Sequence, residues 1–172
     1  MIRRRVAVIT LALLLGGSLA AACDSGGGTS TGDPLALIGR DFEDPAVMDL
    51  ARRLCNGFPN DNVGNIKCLA QGFELNLMTN LSVGSVTLYN QEAAGFGRFQ
   101  GPLPGDLTWS DRYPSVLDKL GTPDGQYGGN GVDVWLLYER LGGYRVEVHF
   151  DAVHNNPEDL INSQMHYIHV SS

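Results

Sequence analysis

Gly101-Pro102-Leu103-Pro104-Gly105-Asp106-Leu107-Thr108-Trp109 is the most patterned stretch of this 172-residue chain, and it leads into a short helix. Prolines and glycines at this density exclude a regular element within the stretch itself. Just beyond it, Tyr113, Val116, Leu117 and Leu120 fall at i, i+3, i+4 and i+7, one apolar stripe of a helix. Asp111 is placed to cap it, and Pro114 sits in the first turn, where a missing N–H does least harm. Gly121-Thr122-Pro123 stops it. The stretch carries no nucleophile, metal cluster or phosphate loop.

Downstream, Val132–Tyr138 reads as a strand. Tyr144, Val146, Val148 and Phe150 alternate with Arg145, Glu147 and His149, which predicts a half-buried strand, and Ile161–Val170 reads as the strand that closes a sheet. The Gly125–Gly131 and Asp151–Asp159 segments read as loops. The Gly-rich one has no Lys and leads into a strand, so it is no phosphate cradle.

Upstream, the same order occurs. Asp44-Pro45 pairs an N-cap with a proline at the first helical position. Val47, Leu50, Ala51 and Leu54 form the stripe, Arg52 and Arg53 complement the dipole at its end, and Asn56-Gly57 supplies a stop. Ile66–Leu69, Phe73–Leu77 and Val83–Tyr89 read as strands. The two halves superpose: Val47 on Tyr113, Gly72-Phe73 on Gly143-Tyr144, Ser85 and Tyr89 on Ser163 and Tyr167. Length differences fall in loops, as a duplication tolerates, although any two amphipathic helix-and-strand stretches align to a similar degree. The expected fold is α+β: a tandem repeat of a helix followed by antiparallel strands, with the helices on one face of a curved sheet. The expected divisions are a leader over 1–22, a tether over 23–34, and units over 35–92 and 93–172.

Met1-Ile-Arg-Arg-Arg is a positively charged start, and Val6–Leu15 is an apolar run too short to span a bilayer comfortably. Leu19-Ala20-Ala21-Ala22-Cys23 resembles a bacterial lipobox, which implies a lipid on the Cys23 thiol and a new N-terminus there. The other reading is a plain small-residue cleavage site with Cys23 incidental. Asp24 resembles the inner-membrane retention signal of diderm lipoproteins, and Asp24–Asp33 is a Gly/Ser/Thr tether. The expected address is the cell envelope, lipid-anchored at the membrane: the periplasmic face of the inner membrane in a diderm source, the extracytoplasmic face in a monoderm one.

The formal charge is −7, and without Arg3, Arg4 and Arg5 of the leader it becomes −10. So acidic a chain is a poor nucleic-acid binder, because phosphate binding needs Lys and Arg to displace counterions. A basic protein is the better partner. Cys55 and Cys68 predict a disulfide in an exported chain, with two free thiols as the alternative. Catalytic motifs are absent and no cofactor is expected. The histidines are His149, His154, His166 and His169; His149 or His154 with Asp151 offers at most a weak metal, small-ligand or hydrolytic site. The aromatic residues are the stronger candidates for contact with a partner: Trp109, Tyr127, Trp135 and Tyr138, with Tyr127 in its Gly-rich segment and Trp135 beside Asp133 best placed.

Leu103-Pro104-x-x-Leu107-x-Trp109, then Val116-x-x-x-Leu120-Gly121-x-Pro123, then Tyr138, resembles small envelope lipoproteins of the SmpA/OmlA (BamE-like) type. It also resembles small bacterial proteins described as immunity proteins to bacteriocin-like toxins, and the tandem order resembles the β-lactamase inhibitory proteins. The resemblance implies protein binding without catalysis, in an immunity, inhibitor or envelope-assembly role.

Overall fold

The computed structural model describes residues 32–55, 64–90, 95–129, 132–153 and 157–172. The lipobox, Asn56-Gly57 and His154 lie outside them.

Among the described residues seven strands form one antiparallel sheet: β1 (Asn65–Cys68), β2 (Phe73–Leu77), β3 (Val83–Tyr89), β4 (Gly125–Gly129), β5 (Val132–Leu141), β6 (Tyr144–Val153) and β7 (Met165–Ser171). Their order is β1-β2-β3-β7-β6-β5-β4. The last strand thus lies between β3 and β6, and it joins the N-terminal strands to the C-terminal ones. Among the described residues three α-helices accompany the sheet: α1 (Pro45–Leu54), α2 (Tyr113–Leu120) and α3 (Pro157–Asn162).

The fold is therefore predominantly β, which corrects the expected α+β tandem repeat of helix and strands. Helices of 10, 8 and 6 residues are too short to form a layer over seven strands. A four-residue apolar stripe spans only two turns, so it identifies a helix without measuring how much of the fold is helical. The Gly125–Gly131 segment also departs from its reading as a loop, because Gly125–Gly129 pairs with β5 as an edge strand. Glycines carry no side-chain alternation, so this strand has no periodic signal. The Asp151–Asp159 segment is likewise not a loop throughout: β6 runs to Val153 and α3 begins at Pro157.

The local chemistry explains most element ends. Asp44 accepts a hydrogen bond from the Ala46 N–H at 2.8 Å and caps α1. Asp111 does not cap α2: the N-cap position is Arg112, which makes no side-chain cap bond. The Asp111 carboxylate instead accepts from the Thr108 N–H at 2.7 Å and from Lys119 Nζ at 2.7 Å, tying the approach stretch to the end of the helix. Burial works to raise its pKa, but these bonds and the Lys119 charge outweigh it and hold the carboxyl low. β5 and β6 meet through Gly142-Gly143, both at positive φ (62° and 91°), the conformation of a two-residue hairpin turn that other residues enter at a cost.

The core lies on one face of the sheet. Leu75, Val86, Leu88, Val146, Val148, Ile168 and Val170 are fully buried there, and each contributes roughly 1.5–3 kcal/mol by leaving water. α1 adds Val47, Leu50 and Ala51; α2 adds Val116; the patterned stretch adds Leu103 and Leu107. Cys55, just after α1, and Cys68, at the end of β1, are buried at disulfide distance with Cα atoms 4.0 Å apart. Among the described residues, no helix is long and apolar enough to cross a membrane.

Candidate functional site

The other face of the sheet carries the alternate residues of each strand, and the register arranges them in rows. Tyr127 of β4 stands opposite Trp135 of β5, Trp135 opposite His149 of β6, His149 opposite Tyr167 of β7, and Tyr167 opposite Tyr89 of β3. These five side chains form a ladder of rings across the sheet. Tyr127 stacks on Trp135 with centroids 4.2 Å apart, and Trp135 lies 5.4 Å from His149 at 17°. His149 stacks on Tyr167 at 4.1 Å, and Tyr167 leans towards Tyr89 at 6.1 Å. Phe96, folding back from the segment after β3, stacks on Tyr89 at 4.1 Å and closes that end. At the other end Tyr127 has no ring beyond it among the described residues and is 47% exposed.

The next row runs Leu137, Glu147, His169, Thr87, Glu74 and Lys67 from β5 to β1, and every member but Leu137 is polar. The two rows are linked. Tyr89 donates its hydroxyl to Glu74 at 3.0 Å, and His149 Nε2 stands 3.4 Å from Glu147 Oε2. His169 Nδ1 shares a 3.1 Å hydrogen bond with Thr87 Oγ1. Arg145 lies between Glu147 at 3.1 Å and Glu139 at 3.7 Å.

Burial within this packed layer sets the titration of its members. It lowers the pKa of His149, against the opposing pull of Glu147, and it lowers His169 likewise, so both rings are neutral at pH 7. Burial raises the phenols of Tyr167 and Tyr89; Asp133 and Glu147 add to the first, Glu74 to the second. A row of neutral imidazoles and un-ionised phenols beside carboxylates is a surface for hydrogen bonding and ring contact.

The residues singled out from sequence divide between the two faces. Tyr127 and Trp135 belong to the ladder. Tyr138 points into the core, 5% exposed, with its hydroxyl 3.3 Å from the Gly121 carbonyl and its pKa pushed up to about 12 by burial. Trp109 is half-buried against the core and donates its indole N–H to the Phe99 carbonyl at 2.8 Å. His149 is flanked by two rings, and Asp151 is exposed two residues on. Among the described residues, no three His, Cys, Asp or Glu side chains converge on a metal position. Tyr89, Phe96, Tyr167, Glu74, Glu147 and His169 complete the site and were not among the residues singled out for partner contact. Alternation assigns a face to each, but only the pairing of distant strands brings them together.

A shallow cavity of about 320 Å³ lies on the core side of β4, lined by Tyr113, Leu117, Gly121, Thr122, Pro123 and Gln126. Tyr113 donates to Gln126 Oε1 across it at 2.9 Å. This hydrogen bond ties α2 to the edge strand.

No protein-family model, no curated protein and no solved structure matches this chain.

Proposed function

We propose that this chain is a non-enzymatic protein-binding module of the bacterial cell envelope, anchored through a lipid on Cys23, that docks a protein partner on the ladder face. One observation carries the binding reading: five rings from five strands stand in register on a sheet face, while α1, α2 and the patterned stretch bury their side chains on the other. Tyr and Trp give large, stiff contact area with a polar tip, which is why they concentrate the energy of protein interfaces. The anchor and the address rest on Leu19–Cys23 and the tether after it. An immunity or inhibitor role rests on the resemblance of the Leu103–Pro123 pattern, with an assembly scaffold as the broader form. A toxin reading frame beside the gene separates them.

The experiment is capture from source envelopes with the full chain as bait, run in parallel with Tyr127→Ala, Trp135→Ala and, on the opposite side, Asp118→Ala. The reading predicts one dominant protein, retained by the wild type and Asp118→Ala and lost from both ladder variants while their near-UV spectra stay folded. Equal retention by all four baits would place the contact elsewhere.

A further inference from the structure

The two edges of the sheet are finished differently. β1 carries Lys67 and is tied through Cys68 to Cys55 at the end of α1, and both features discourage another strand from adding there. β4 has a neighbour on one side only, and Gly125–Gly129 contains no charged residue and no proline. Gln126 and Tyr127 are exposed, and among the described residues no backbone bond reaches this strand from outside the sheet. In an antiparallel pair only every second residue turns its N–H and C=O to the partner, so the remaining set of β4 faces outward. The register runs true from Gly125 to Tyr127 and slips before Gly129, with Gly128 at φ 89°, so the straight part of this edge is three residues long. The shallow cavity lies beside it on the core side. Gln126 stands in its wall, held by the Tyr113 hydroxyl, and Leu117, Pro123 and the Tyr113 ring supply apolar surface. Burial pushes the Tyr113 phenol up, so the wall carries no ionised group. Cross-strand partners share a face. In a strand added beside β4, the residue opposite Gln126 therefore turns its side chain to the core side, towards the cavity, and its two neighbours turn theirs to the side of Tyr127.

We infer that β4 is a strand-addition site, where an extended segment of another protein pairs with Gly125–Tyr127 and places a Leu, Ile or Val in the cavity. Main-chain bonds along the edge hold the segment, and the cavity selects the side chain. This chain offers no such segment of its own. A second copy pairing β4 with β4 would present Gln126 or Asp124 on the core side, and its other edge is guarded. The tether Asp24–Asp33 holds only Gly, Ser, Thr and Asp. A small molecule would bury too little of itself in so shallow a cavity. The site is separate from the ladder face, with which it shares only Tyr127, and it does not rest on the docking reading above.

The test titrates the ¹⁵N-labelled full chain in detergent with a blocked nonapeptide that has four threonines on each side of one leucine. The amide signals of Gly125, Gln126 and Tyr127 should move saturably, while the Trp109 indole, held by the Phe99 carbonyl, stays still. Replacing the leucine by serine should weaken binding about ten-fold. Two further peptides carry N-methyl groups on alternate residues, one on the odd set and one on the even. One set should abolish binding and the other keep it, because only every second N–H of an added strand faces β4. Thr122→Lys and Gln126→Lys, both at exposed positions, bring a charge to the cavity and should each weaken binding about ten-fold, with near-UV spectra unchanged. No movement at millimolar peptide, equal binding of the serine peptide, an equal effect of the two N-methyl sets, or undiminished binding in both lysine variants would each overturn the inference. Its failure leaves the ladder-face reading untouched, because neither lysine variant changes a ring of the ladder.

Discussion

His149 shows how one residue's surroundings decide what it can do. It is 8% exposed, lies between Trp135 and Tyr167, and bonds Glu147. Burial lowers its pKa, and that of His169, below the ordinary value. The unfolded chain therefore takes up these protons first as pH falls. Stability is full above the unfolded value of about 6.5 and declines as pH drops from there towards the folded values. Urea unfolding between pH 8 and 5 should show this decline, and it should flatten in the His149→Gln/His169→Gln double variant. A second prediction belongs to Gly125. The group that a Cβ there would meet is the outer end of the Tyr127 ring, which can swing aside. Gly125→Ala should therefore shift stability by about 1 kcal/mol or less yet move Tyr127 off Trp135, read as a changed Trp135 indole signal. Tyr138 stands with Trp135 among the contact residues expected from sequence, yet the two are three apart in one strand and face opposite ways, so period-2 alternation, applied there, separates a ladder ring from a core ring.

At the scale of elements, α1 and strands β2, β3, β5 and β6 were legible because their apolar residues repeat at the period of the element. The Asp44 cap and the Gly142-Gly143 turn have local causes, visible within a few residues. β4 was not legible, since its pattern is glycine on either side of Gln126-Tyr127 and its strand state comes from pairing with β5. The extent of helix was misjudged for a related reason: short stripes mark helices, but the sheet between them sets the class. One element contact is covalent. Linking Cys55 to Cys68 closes the end of α1 onto β1 across a sequence separation of 13. Loop closure of this size is worth about 3 kcal/mol. The Cys55→Ser/Cys68→Ser variant should lose roughly that amount in chemical denaturation, as should the reduced wild type, with the ladder signals unchanged in the folded state.

For the whole molecule, the placement of β7 is decisive. By pairing with both β3 and β6 it joins strands from the two ends of the chain, and only then do Tyr89 and Tyr127 become parts of one ladder. Contacts between residues so far apart leave no trace in local spacing, which is why the site emerged from the register and not from any motif. The same topology gives the sheet one apolar face with the helices and one face of rings and carboxylates, and the account rests on the second being where the molecule meets its partner. The most direct measurement is photocrosslinking in the source cells, with p-benzoylphenylalanine at Tyr127 on the ladder face and, for comparison, at Asp118 on α2. The account predicts one discrete protein adduct from position 127 and none from 118. No adduct from 127, or the same adduct from both positions, would contradict it.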